Sequence, residues 1–422
     1  MASRPCLFQL DTTAVGDSPR RRGIRPPRPA VACHPLPAPT RRGKERFVQP
    51  SPMMRLLLAG ALLVHGAIHL LGFLKAFGFA ALPQLTVPIP PARGLVWLAA
   101  AVAFVAAAIG VLTRPRWWWM PTAVGLVLST IVVAASWQDA KAGAVANGVL
   151  AVAAIIAFAI DGPTSQRARF EHDVAALTAP AETPAIRVVT DADLAPLPAP
   201  VQRYLRAAGV VGHPRVTSFR LRMHGRIRSA ADAPWMPIVA EQVNTIAPPA
   251  RLFYLDATMH GLPVTGLHRY LDGAAAMDVR LLGLLRVAHD DGAAMTHAET
   301  VTFCNDLCLF APATLIEPAF TWTAVSEREA RLRFTAGAQA IEATLIFGAD
   351  GRLSDFFSDD RGHATVDGPS TAGQRWSTPI ATYRRFGPFT LIGQGEARWH
   401  APAGAWPYIT LDIDDVSYGV AR

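Results

Sequence analysis

Charge is scarce in this 422-residue chain: Asp, Glu, Lys and Arg make up 17% of it, against about a quarter in ordinary globular proteins. With 51% hydrophobic residues, it is too apolar for an ordinary soluble protein of this length. Four cysteines in such a length exclude a disulfide-stapled scaffold. Catalytic signatures are missing too, for there is no GxSxG elbow, Walker A loop, HExxH or Rossmann glycine fingerprint after a strand. The formal charge of +8 is confined to one end, where residues 1–52 hold ten Lys and Arg against three Asp and Glu while the rest is close to neutral. That excludes a basic nucleic-acid-binding face, and no nucleic-acid partner is expected.

What is present divides into four parts. Residues 1–52 form a basic, proline-rich tail without apolar periodicity, read as disordered; the pair Met53–Met54 before Arg55 has the look of a natural start. Residues 53–161 are almost purely apolar and are cut into four stretches of membrane-spanning length, at 54–77, 94–112, 117–136 and 144–160. Trp117, Trp118, Trp119 and Trp137 stand where amphipathic rings favour the headgroup boundary. Arg55, Arg114, Arg116, Arg167 and Arg169 fall on one side of these spans, Lys75, Arg93 and Lys141 on the other. The positive-inside rule then puts both ends of the unit in the cytoplasm, at a bacterial inner membrane, whereas an odd number of spans would put the soluble half outside.

Residues 162–196, rich in Ala, Pro and Thr with a helical piece around 167–177, read as a linker. The remainder, 197–422, opens with a short amphipathic helix ending at Gly209 and then turns to period two. Strand-like runs recur at 216–228, 236–244, 251–259, 267–273, 276–281, 320–325, 329–335, 340–347 and 352–358, with a helical insert around 299–316. The expected architecture is an α+β membrane protein: an N-terminal four-helix transmembrane bundle, then a large antiparallel β-sheet or half-barrel domain with short helices.

Few residues invite chemistry. His65 and His69, four apart in the first span, share a helix face and are weak metal or haem candidates; the other three spans offer no His, Cys, Asp or Glu to join them, so hydrogen bonding to a neighbouring helix is the expected role. Trp137, Asp139, Lys141 and Asn147 read as a helix-end anchor. Cys304 and Cys308 lie on one side of a helix, unaccompanied by a CxxC pair or clustered His, and are expected to be buried thiols. Asp359, Asp360 and Arg361, with Asn305 and Asp306, would serve acid–base or metal-assisted hydrolysis if the chain turned them into one cleft; neighbouring residues on a strand point to opposite faces. Glu241 and Gln242 are polar residues in apolar surroundings and need partners if buried.

The passages HGAIHLLGFLKAF (65–77), WQDAKAGAVAN (137–147), WMPIVAEQ (235–242), NDLCLFAPATLI (305–316), SDDR (358–361) and RWSTPIATYRRFG (375–387) resemble a family of uncharacterised bacterial membrane proteins with a domain of unknown function. That family brings no catalytic residue. Strand order and segments such as RLFYLDATMHGLPVTGLHRYLDG (251–273) are also similar to the half-barrel of bacterial lipoprotein carriers, which encloses an acyl-chain pocket. The resulting expectation is a membrane protein whose β-rich domain binds a lipid or other hydrophobic small molecule beside the bilayer. Trp235, Met236, Met259, Phe303, Phe310 and Trp376 are expected to line the cavity, with Glu241, Arg361 and Tyr383 at its mouth. Membrane lipids are expected partners and no cofactor is expected; protein partners are left open. The alternative is a membrane-anchored hydrolase using Asp359, Asp360 and Arg361.

Overall fold

The computed structural model describes residues 52–113, 116–179, 187–365, 368–371 and 374–419, so the basic tail and Arg114 lie outside the described residues. The apolar half folds into α1 (Pro52–Ala76), α2 (Pro91–Thr113), α3 (Trp119–Ala135), the single turn α4 (Trp137–Ala140) and α5 (Ala142–Asp161). Three helical stretches are long and apolar enough to cross a bilayer: Met53–Ala76, Pro91–Thr113 and Ala142–Leu177. The last runs through α5 into α6 (Gln166–Leu177), whose N-cap Ser165 accepts from the Ala168 N–H. α3, at 17 residues, is shorter than the expected third span because the helix breaks at Ser136 before α4.

Outward faces of these helices carry bare apolar side chains such as Val64, Val149 and Val152. Inward, small residues let helices approach: a Cβ on Gly72 would collide with the Trp97 ring, and one on Gly125 would sit 3.0 Å from Phe104.

After the turn α7 (Asp191–Leu194) and the amphipathic α8 (Ala199–Ala208), closed by Gly209 at φ 80°, the chain becomes sheet. One arm is a meander: β1 (Ser218–Ile227), β2 (Met236–Thr245), β3 (Ala250–Met259), β4 (Leu262–Leu271), β5 (Ala274–Leu281) and β6 (Leu285–Asp291). Then comes α9 (Gly292–Phe310). The second arm holds β7 (Phe320–Ser326), β8 (Glu329–Ala336), β9 (Gln339–Phe347) and β10 (Leu353–Ser358). A two-stranded ribbon, β11 (His363–Thr365) with β12 (Gly368–Thr371), stands apart. β13 (Trp376–Ser377), β14 (Ile380–Phe386), β15 (Phe389–Ala401) and β16 (Gly404–Tyr418) close the chain. β16 pairs with β1 and joins the arms into one antiparallel sheet of 14 strands.

The sheet curls around α9, which touches β4, β5 and β6 on one arm, β9 on the other and β15 between them. From Met295 to Phe310 every residue of α9 except His297 is buried, so beyond its exposed first turn this helix presents almost nothing to solvent. The expected half-barrel is therefore present, and its concave side is partly occupied by its own helix. On the convex side α6 packs Phe170 and Val174 against Val243, Leu252, Tyr254 and Leu267, a second small core. The segment read from sequence as a linker thus carries a helix fastened to the sheet.

Strand register orients the assembly. The β1–β2, β3–β4, β5–β6 and β15–β16 turns share one end of the sheet, since Ile227 faces Met236, Met259 faces Leu262, Leu281 faces Leu285 and Ala401 faces Gly404. At that end Gly283 is packed against Ala159 and Ile160 at the close of α5. The β5–β6 tip therefore adjoins α5, and Leu262, Leu284, Leu285 and Val287 at this end of the sheet are exposed.

Candidate functional site

Side chains alternate along a strand, so each strand of the first arm offers every second residue to the concave face. Near the hairpin tips those residues are apolar throughout: Met223 on β1, Ile238 on β2, Ala257 on β3, Val264 on β4 and Ile409 on β16 are buried. Next to them Ile227, Met236, Met259, Val279, Leu281 and Leu411 remain partly exposed, because α9 crosses the sheet nearer its other end. What results is a concave apolar wall, partly exposed at the sheet end that meets α5; we refer to it as the cup.

Its floor is ionic. Toward the far end the same concave rows switch to Gln242 and Asn244 on β2, Arg251 on β3 and His268 on β4, all facing α9. Arg251 donates through Nη1 to Glu299 at 2.9 Å, through Nε to Asp306 at 2.7 Å and through Nη2 to Gln242 at 3.2 Å. Gln242 donates in turn to Asp306 at 2.7 Å, and His268 Nδ1 lies 3.1 Å from Glu299. Burial pushes the Glu299 carboxyl up, but Arg251 and His268 outweigh it and hold the group at about 2. Burial wins at Asp306, whose carboxyl lies above its usual range despite Arg251. With Arg251 spent on these partners, the cluster is a keystone between helix and sheet.

Arg361 sits where floor meets wall. Its Nε donates to Thr302 of α9 at 3.1 Å, and its guanidinium lies over the rings of Trp376 at 4.7 Å and Trp399 at 5.0 Å. Trp235 is stacked at the rim under Arg226 and Arg228, at 4.6 and 4.5 Å. So Met236, Met259 and Trp376 share one end of the sheet, with Arg361 against Trp376 and Trp235 just ahead of β2, while β2, β1, β16 and β15 separate Met259's strand from Trp376's. The other candidates lie elsewhere. Phe303 packs on Tyr270 and Phe334 and Phe310 on Phe219, inside the core, and the void beside Phe303 measures about 50 Å³, far below a ligand site of roughly 300–1,000 Å³. Glu241 is on the convex side, paired with Arg167 at 2.9 Å and with Arg220, while Tyr383 donates to the Leu353 carbonyl at 2.7 Å.

The carboxylates needed for hydrolysis do not converge. Asp359 forms a two-pronged pair with Arg375 at 2.8 and 2.9 Å, Asp360 accepts the Glu342 N–H at 2.6 Å, and Arg361 turns inward. Asn305 donates to Thr378 at 2.8 Å, away from all of them. That corrects the expectation of a shared cleft: β10 ends at Ser358, and in the irregular segment that follows each of the three residues finds a separate partner. Ser377 Oγ lies 2.8 Å from His400 Nε2, a pairing no sequence spacing announces; among the described residues nothing hydrogen-bonds the other His400 ring nitrogen as the third member of a hydrolase relay would. Cys304 and Cys308 are buried, and burial pushes the Cys304 thiol well up.

Among the apolar helices, His69 Nδ1 binds the His65 carbonyl and its Nε2 binds Ser129 Oγ, both at 2.8 Å; His65 Nε2 and Ser129 Oγ meet Asn147 Oδ1 at 2.8 Å. This ties α1, α3 and α5 by polar contacts. No group of three or more metal-ligating side chains occurs among the described residues. An apolar groove of about 320 Å³ lies between α3 and α5, lined by Trp119, Leu126, Ile155 and Phe158 among others.

Solved structures similar to this chain include the following two. A putative outer membrane lipoprotein-sorting protein domain from Vibrio parahaemolyticus shares 10% identity, covering 49% of this chain and 87% of its own, with a TM-score of 0.30. A DUF1329 family protein from Desulfovibrio piger shares 10% identity, covering 53% of this chain and 93% of its own, with a TM-score of 0.31. No curated protein matches the chain. Residues 187–411, more than half of the sequence and nearly all of the half-barrel, match a family model, and the chain belongs to that family of unknown function, DUF6544.

Proposed function

We propose that this is an integral membrane protein whose half-barrel takes the hydrophobic part of an amphiphile from the adjoining bilayer into the open end of its cup. The observation that carries this reading is the row of partly exposed apolar side chains, Ile227, Met236, Met259, Val279, Leu281 and Leu411, at the end where Gly283 packs on Ala159. An apolar, partly exposed concave wall continuous with a lipid-facing helix is costly in water and useful beside a membrane. In this reading α3 completes four spans with α1, α2 and α5. The proposal places the half-barrel in the cytoplasm of a bacterial cell, as Arg55, Arg116, Arg167 and Arg169 on its side of the helices favour. Arg55 donates to the Val111 carbonyl at 3.0 Å and Arg116 pairs with Glu171 of α6, both in keeping with that common side.

A fatty acid carrying a photoreactive diazirine, added to the full chain in lipid nanodiscs, tests the proposal once adducts are mapped by mass spectrometry. Adducts at Met236, Met259 or Leu281 are expected, diminished by Val279→Trp. Adducts restricted to the outward faces of α1–α5 overturn it.

A further inference from the structure

The geometry points to Arg361 as the recognition group for an anionic head, so that the guest of the cup is an amphiphile ending in a carboxylate or phosphate. This rests on the cup's holding an apolar chain, as proposed above. Arg361 is held from three sides: Thr302 takes its Nε at 3.1 Å, and the Trp376 and Trp399 rings flank its guanidinium at 4.7 and 5.0 Å. Its two terminal nitrogens make no hydrogen bond to any described residue, and neither is shut away from solvent as an unpaired buried atom. A guanidinium fixed in orientation with its outer edge unfilled is what two-pronged binding of an oxyanion requires.

The neighbouring charges leave it available. Glu299 is the nearby carboxylate, and its oxygens are already committed to Arg251 at 2.9 Å and His268 at 3.1 Å. Asp306 is committed to Arg251 and Gln242. Trp399 and Trp376 stand on the concave face at the same sheet end as the partly exposed Met236 and Met259. A head at Arg361 therefore leaves its chain a path along apolar wall toward the hairpin tips and the bilayer, while the depth beyond is closed by α9.

Competition against the diazirine label at Met259 tests this in nanodiscs with the full chain. Oleate is expected to displace the label about tenfold better than oleyl alcohol, the size of one charge-assisted pair. Arg361→Gln should remove that preference, and Arg361→Lys should keep part of it. Should Arg361→Gln fail to fold, Thr302→Val, which frees the guanidinium but keeps its charge, is expected to reduce the preference. Inorganic phosphate alone should not displace the label; displacement by it as effective as by oleate would make this a free-anion site and overturn the inference. An oleate preference that survives Arg361→Gln overturns it as well. Absence of any Met259 label would instead defeat the cup reading on which it rests.

Discussion

Gly283 lies so close to Ala159 that a Cβ placed on it would come within 2.8 Å of the Ala159 carbonyl carbon. Its φ of 69° adds a second reason for glycine, since L side chains rarely adopt that backbone. This contact joins the β5–β6 turn to the end of α5. Gly283→Ala is expected to cost more than about 1 kcal/mol, because it combines positive φ with a backbone collision. Thermal unfolding in detergent and protease cleavage near residues 282–285 report it; unchanged melting and cleavage would mean the turn is free of the helix.

The buried cluster around Arg251 predicts an order of damage. Arg251→Met strands Glu299 and Asp306 without their shared cation inside the protein, and loss of one member of such a cluster costs about 3–5 kcal/mol. Asp306→Asn should cost less, since burial already favours the uncharged form there and an amide keeps an oxygen for Arg251 and Gln242. Denaturant midpoints compare the two variants. Equal losses, or a milder effect of Arg251→Met, would contradict the assignment of Arg251 as keystone.

Asp256 on β3 provides a pH signature. Burial raises its carboxyl from 3.8 to about 6, against the opposing pull of Tyr254, which donates at 2.7 Å, and of Arg167 and Arg116. The folded chain thus keeps a proton that the unfolded chain releases near 3.8, so this residue's contribution is complete below that value and is lost as pH rises through about 6. Two units correspond to at most about 3 kcal/mol. Asp256→Asn, which can still accept from Tyr254, should therefore melt higher than the parent at pH 8 and equally at pH 4. A gain of the same size at both pH values would show that the carboxyl's ionisation is not the cause.

Much of the architecture can be read from residue patterns, and the unread parts have physical causes. The apolar stretches and the alternation in β1 to β3 are local signals, and they fall where expected. β15 and β16, the longest strands, escape notice because Gly393, Gly395 and Pro407 interrupt the alternation and Asp412, Asp414 and Asp415 make the last run look like loop. Their pairing compensates with a bulge between Ala397 and Arg398. At the site, Asp306 stands out as a polar residue in an apolar helix, yet its partner Arg251 is 55 positions away and nothing local joins them. Arg361 is noticed in sequence as part of an acidic run. Its true neighbours, Trp376 and Trp399, are brought in by two later strands.

The polar contacts among the apolar helices give the last prediction. The His65 carbonyl can only accept, so His69 presents Nδ1–H to it, while its Nε2 lies 2.8 Å from Ser129 Oγ, whose one proton goes to Asn147 Oδ1. Ser129 is also 2.8 Å from Asn147, which in turn meets His65, so the hydroxyl is shared by two helices besides its own. Ser129→Ala and Asn147→Ala should each destabilise the bundle, and the double variant should fall short of their sum by about 0.6 kcal/mol, the average for hydrogen bonds between helices in membranes. Unfolding by dodecyl sulfate titration in mixed micelles supplies the cycle. Strict additivity would mean that Ser129 and Asn147 act separately, and that close packing of Gly72 on Trp97 and Gly125 on Phe104, with no help from polar contacts, holds these helices together.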